Sequence, residues 1–155
     1  MIVKNEQSCL ERCLRSVQGL VDEIIIVDTG SDDGTIAIAQ QFTDKIFHFQ
    51  WDDDFSAARN FALEHASCDW ILVLDADELI DKEDHPRIKE LAAQEKSAAY
   101  FLHQKEYTNN TTLTGFYYSD ATNKKKADNY LGYVLVENAI RLFKNTKNIR
   151  FSWRI

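Results

Sequence analysis

Residues 70 to 78 read Trp-Ile-Leu-Val-Leu-Asp-Ala-Asp-Glu. An apolar run of strand length leads straight into Asp75, Asp77 and Glu78. Side chains alternate along an extended chain, so Asp75 and Asp77 are expected to project to one side and Ala76 to the other. Two neighbouring carboxylates repel unless positive charge lies between them. Oxygen ligands at a strand tip suit Mg²⁺ or Mn²⁺, and a cation held by one or two carboxylates completes its shell with water and substrate phosphates. The chemistry indicated is a metal–diphosphate site.

A second acid stands at the end of another apolar run, Ile24-Ile25-Ile26-Val27-Asp28, and opens the turn Thr29-Gly30-Ser31-Asp32-Asp33-Gly34. Continuous apolar runs are typical of strands covered on both faces. Helical spacing of Leu10, Cys13, Leu14 and Val17 predicts a helix over 6–17, ended by Gly19. Further helices are predicted over 35–42, from an Asp54 or Ser56 cap to about His65, and over 84–94 with Pro86 in the first turn. Strands are predicted over 1–4, 23–27, 45–49, 69–74, 98–107, 133–143 and 149–153, with 109–129 a loop or hairpin. Strand–helix alternation in the first half implies a mostly parallel sheet, and ligands of such sheets bind beyond the strands' carboxyl ends. Asp28 and Asp75 therefore belong at one edge.

The chain has 155 residues, 45% apolar and 28% charged, with 25 acids against 18 bases and a net charge of −7. That balance suits one soluble domain and gives no basic surface for nucleic acid. Lys124-Lys125-Lys126 reads as a solvated loop. Cys9 and Cys13 share a helix face and read as core, and with Cys68 make an odd count without a disulfide framework. Asp32 and Asp33 read as capping residues, the acids at 52–54 as a hydrated loop with a cap, and the four histidines show no ligand spacing. No apolar run approaches a membrane span and no signal peptide is evident, so a cytoplasmic setting is expected, with peripheral contact at the inner face of the membrane open.

Four segments together carry a resemblance: Val3-Lys4-Asn5-Glu6; Val27-Asp28-Thr29-Gly30-Ser31-Asp32-Asp33-Gly34-Thr35; Asp54-Phe55-Ser56-Ala57-Ala58-Arg59-Asn60; and Leu74-Asp75-Ala76-Asp77-Glu78. In this order and spacing the chain resembles the inverting family-two glycosyltransferases of GT-A fold, most of all the bacterial branch often followed by tetratricopeptide repeats or a helical tail. The resemblance implies an α/β, Rossmann-like sandwich with a mostly parallel central mixed sheet, forming one domain over 1–155. Residues 1–80 would be the nucleotide- and metal-binding half and 81–155 an incomplete acceptor-side half. Relatives usually have a longer first strand and a His-Glu pair beyond the closing strands, so both ends are expected to be short.

The resemblance implies a nucleotide-sugar donor, with UDP-sugar favoured, a Mg²⁺ or Mn²⁺ cofactor, and a glycan, lipid-linked or peptide acceptor. Asp28 matches the acid that contacts the base or ribose, with Thr29 where many relatives carry a second acid. Asp77 would ligate the cation, and Asp75 would hold the ribose or the metal's water shell. Asn5 and Glu6 would line the nucleotide pocket, and Arg59 would offset charge near the diphosphate. Glu137 is the candidate catalytic base, ahead of Asp120 and Asp128. A nucleotide- and metal-binding fragment without turnover is the alternative. A sugar nucleotidyltransferase is disfavoured because no glycine precedes Gly19. An aspartic protease, suggested by Asp28-Thr29-Gly30, is disfavoured because that fold is almost wholly β.

Overall fold

The computed structural model describes residues 1–94, 97–119, 130–136 and 140–152. The described residues fall into two compact units, one within residues 1–99 and 142–152 and the other within residues 100–141. The first unit carries the acidic segments.

Its elements begin with β1 (Ile2–Val3), α1 (Leu10–Ser16), β2 (Ile26–Asp28), α2 (Thr35–Ala39) and β3 (Ile46–His48). They continue with α3 (Phe55–Glu64), β4 (Trp70–Leu72), a 3₁₀ turn over Lys82–Asp84 and α4 (His85–Ala93). Strands β1, β2 and β3 form a parallel sheet in that order, with Val3 opposite Asp28 and Asp28 opposite His48. The chain then runs through β5 (Ala99–Phe101), β6 (Gln104–Thr108), β7 (Phe116–Tyr118), β8 (Gly132–Val136) and β9 (Ile140–Lys144). A second sheet has the order β4-β9-β5, and β4 pairs antiparallel with β9, Leu72 opposite Leu142. Parallel pairing thus lies in one sheet and the antiparallel β4–β9 pair in another, rather than together in the one mostly parallel mixed sheet expected.

Helix α1 follows its sequence pattern: Leu10, Cys13 and Leu14 are almost wholly buried, and Val17 nearly so. They pack with Val3, Ile26, Ala39, Leu74 and Ala76 in the two core clusters under the parallel sheet. The helix starts later than predicted, at Leu10. Residues 6–9 form a turn in which the Glu6 carbonyl accepts the N–H groups of Cys9 and Leu10, and the helix has no side-chain cap. Gly19, at φ +76°, takes the left-handed conformation that carries the chain out of the helix. Helix α3 begins as predicted, the Asp54 carboxylate accepting the Ala57 N–H. Helix α4 has Pro86 in its first turn and Ile88 buried.

The second unit is an antiparallel sheet of order β6-β8-β7. Here the sequence reading needs correction. The single strand predicted over 98–107 is two, β5 and β6, broken at Leu102–His103. The stretch predicted as β over 133–143 contains the separate strands β8 and β9. Strand β7 lies in the segment read as loop, and residues 149–152 are not in a strand. Apolar and aromatic runs report β character, but strand ends are set by which neighbour supplies the ladder, and that is a tertiary fact.

One carboxylate gathers three strand entrances. Glu23, just before β2, accepts the Ser67 N–H (2.8 Å) and the Ser67 hydroxyl (2.7 Å) ahead of β4, and it pairs with Lys45 just before β3. Asn145 reinforces the entry to β4, its amide donating to the carbonyls of Ala66 (3.1 Å) and Cys68 (2.9 Å). Strands β1 and β4 lie in separate sheets. A cavity of about 600 Å³ is lined by Met1 and Ile2 and by Trp70 to Leu74, among others. The Glu23 clamp therefore contributes alignment that no β1–β4 ladder supplies.

Candidate functional site

The loops following β1 and β2 are laced together. Asn5, held at φ 58°, donates its N–H to Ser31 Oγ (3.0 Å), and its side-chain oxygen accepts the Asp32 N–H (2.9 Å). The Glu6 N–H donates to Thr35 Oγ1 at 2.7 Å, and Thr35 is fully buried. The Gln7 N–H donates to Asp33, whose carboxylate also receives the Thr35 N–H and hydroxyl. Those hydrogen bonds, Thr35's first, hold the Asp33 carboxyl below the usual range. Asp33 is thus a bracing residue of the turn, while the N-cap position of α2 expected for Asp32 or Asp33 is held by Gly34 without a side-chain bond.

Asp28 closes the same turn. It is 7% exposed, and its carboxylate accepts the Gly30 N–H (3.1 Å) and the Ser31 N–H (3.1 and 3.3 Å). His48 Nδ1 approaches Asp28 Oδ2 at 3.6 Å from the neighbouring strand. A cavity of about 410 Å³ opens there, lined by both residues with Ile36, Gln40 and Thr43. The parallel register that sets Asp28 opposite His48 was not readable from an isolated histidine.

The acids at 75–78 lie beyond the end of β4. The predicted strand over 69–74 stops at Leu72, and residues 75–78 form a turn. The Asp75 N–H donates to the Glu78 carboxylate (2.9 Å), and the Glu78 N–H returns to the Asp75 carbonyl (3.1 Å). Burial alternates across this turn: Ala76 is 5% exposed within the core, Asp75 half-buried and Asp77 exposed. A small residue between two acids anchors the turn while both flanking carboxylates stay within reach of solvent.

Helix α1 joins this turn to the other loops. Cys13 Sγ donates to the Asp75 carbonyl at 3.4 Å, and the Ile80 N–H donates to Ser16 Oγ at 3.1 Å. Cys9 Sγ donates to Glu6 Oε2 at 3.1 Å. Burial, then the Glu6 carboxylate, pushes the Cys9 thiol up to about 11, and burial with the Glu78 carboxylate pushes Cys13 up to about 12. The Asp77 charge adds a smaller upward push to both thiols. Asn5, Glu6, Asp28, Asp75 and Asp77 thus belong to loops tied together through α1 and its preceding turn.

Arg59, on α3, reaches the same turn. Its Nη2 lies 3.6 Å from Asp75 Oδ1, with the two side chains 32% and 38% exposed. The candidate base Glu137, with Asp120 and Asp128, lies outside the described residues. No group of three His, Cys, Asp or Glu side chains suited to hold a metal occurs among the described residues. The described residues therefore offer no all-protein cage for a cation.

Parallel strands, flanking helices and acids collected beyond the strand ends define a GT-A-type α/β domain. Residues 1–148 match Glycosyl transferase family 2, and the chain belongs to that family. It is 39% identical over 97% of its length to a TPR repeat-containing protein of Synechococcus elongatus, of which it covers 32%. It is 40% identical over 59% of its length to the SPbeta prophage-derived glycosyltransferase SunS of Bacillus subtilis, covering 22% of that protein. The chain thus spans a third or less of these curated relatives. Among solved structures, the mannosyltransferase of Pyrobaculum calidifontis in complex with GDP-Man and Mn²⁺ matches with a TM-score of 0.54 at 22% identity, over 63% of this chain and 32% of the other. That likeness supports the fold. No helix among the described residues is long and apolar enough to cross a membrane.

Proposed function

We propose that this domain binds a nucleotide-diphospho-sugar, with UDP-sugar favoured, and transfers the sugar with inversion to a glycan, lipid-linked or peptide acceptor. The observation that carries the proposal is the lacing of the Asp75–Asp77 turn, through α1, to the Asn5–Glu6 and Asp28 loops. In this reading Asp28, beside His48, faces the base or ribose. Asn5 and Glu6 wall the nucleotide pocket, and Arg59 offsets the diphosphate charge. Asp77, helped by Asp75, holds Mg²⁺ or Mn²⁺. When bound, the cation supplies Lewis-acid neutralisation of charge developing on the diphosphate leaving group. The chain's contribution is orientation and fixed charge. Glu137 stands as the candidate for taking the acceptor proton.

Titration calorimetry with UDP, with and without Mn²⁺, tests the donor site. Wild type is expected to bind more tightly with Mn²⁺, and Asp77→Ala to lose that metal dependence while keeping weak nucleotide binding. GDP in place of UDP reads base preference. No binding in any arm, or affinity indifferent to both Mn²⁺ and Asp77, refutes the donor site. Turnover with a donor panel separates a transferase from a binding fragment.

A further inference from the structure

Asn60 and Phe151 are distant in sequence, yet they meet in a two-point clasp. Asn60 Nδ2 donates to the Phe151 carbonyl (2.8 Å), and the Phe151 N–H donates to Asn60 Oδ1 (2.9 Å). This fixes the backbone of residue 151 against α3 at the position next to Arg59. The Phe151 ring then lies under the arginine, with the guanidinium carbon 5.5 Å from its centroid. Phe143, 3% exposed, meets that ring edge-on with centroids 6.3 Å apart. The same guanidinium, through Nη2, is 3.6 Å from Asp75 Oδ1.

A continuous contact path therefore runs from a core aromatic, through Phe151 and Arg59, to the carboxylate that opens the acidic turn. Arginine is long and rotamer-rich, and an exposed one would lose considerable entropy on meeting an anion. Stacking on an aromatic face removes part of that freedom beforehand and adds cation–π attraction. Adjacent helix residues point about 100° apart, so Asn60 can grip the backbone of residue 151 while Arg59 meets its side chain.

We propose that Asn60 and Phe151 are positioning residues of the donor site, acting through Arg59: the clasp sets the ring, and the ring holds the guanidinium beside Asp75, ready for a diphosphate. This rests on the donor-site reading above and extends it to two residues outside the acidic loops. Neither is expected to touch the nucleotide.

The test is a double-mutant cycle on Arg59→Met and Phe151→Leu, read in two ways. Without nucleotide, the urea-unfolding cycle is expected to show favourable coupling between the two sites. With UDP and Mn²⁺, Phe151→Leu is expected to weaken binding about threefold, the size of a half-exposed cation–π contact. Phe151→Trp should restore it, and Phe151→Leu should have no further effect in the Arg59→Met background. Asn60→Ala should weaken binding in the same Arg59-dependent way. If that variant does not fold, the Phe151 series alone decides. Zero coupling in the unfolding cycle, no rescue by Trp, or equal losses with and without Arg59 overturns the proposal. Wild type that shows the coupling but binds no UDP defeats the donor-site reading, and the positioning role with it. The two failures are therefore distinguishable.

Discussion

Protonating or neutralising Glu23 should loosen the entrance to β4. Its side chain is 11% exposed, and burial alone would raise its pKa. Hydrogen bonds from Lys45 and from the N–H and hydroxyl of Ser67 outweigh burial and hold it at about 2, against an ordinary 4.5. A folded-state value below the unfolded one means that the stabilisation is fully present above pH 4.5. It is lost as pH falls through about 2. The full gap corresponds to about 3 kcal/mol. Lys45 is 48% exposed, and solvent screening reduces the figure to about 1–2 kcal/mol. Urea unfolding of wild type and Glu23→Gln, followed from pH 7 to pH 3, isolates this contribution as their difference. That difference should be about 1–2 kcal/mol at pH 7 and fall by more than half by about pH 3. Exchange of the Ser67 amide proton should quicken in the variant. Parallel loss of stability by both proteins between pH 5 and pH 3 would refute the clamp.

Thr35→Val removes the acceptor of the Glu6 N–H at a fully buried position. It should cost about 1–3 kcal/mol in urea unfolding, with Thr35→Ser close to wild type, and UDP affinity should fall with it. Ala76→Leu overpacks the anchor of the acidic turn and should cost about 1–3 kcal/mol. Its Mn²⁺-dependent UDP binding should drop further than that stability loss explains, as calorimetry at a temperature where the variant is folded would show. Cys9 and Cys13, held at about 11 and about 12, should alkylate slowly with iodoacetamide at pH 8 and rapidly in urea. Glu6→Gln removes the carboxylate beside Cys9 and should speed its labelling, read residue by residue by mass spectrometry.

Much of this is legible in the sequence. The 10–13–14–17 stripe named the buried face of α1 because a helix repeats every 3.6 residues and one side must leave water. Asp54 announced the start of α3 because a short acceptor side chain satisfies a free helical N–H. The four motif segments by themselves point to family two. Strand limits were less legible. The run ending at Leu74 has strand composition throughout, yet its ladder to β9 stops at Leu72, since pairing depends on a partner brought in from the end of the chain.

The amino-acid sequence alone showed which residue types could do chemistry: carboxylates at 28, 75 and 77 placed after apolar runs, and an arginine at 59. Local periodicity and residue type suffice for that, because they act over a few residues. Only the tertiary structure decided how those groups are held. The Asn5–Ser31, Glu6–Thr35 and Cys13–Asp75 hydrogen bonds, the Glu23 clamp on β3 and β4, and the Asn60–Phe151 clasp behind Arg59 all join distant segments. No local pattern encodes such pairings. They exist because burying the helix and strand faces together leaves polar groups side by side, and those groups must then satisfy one another.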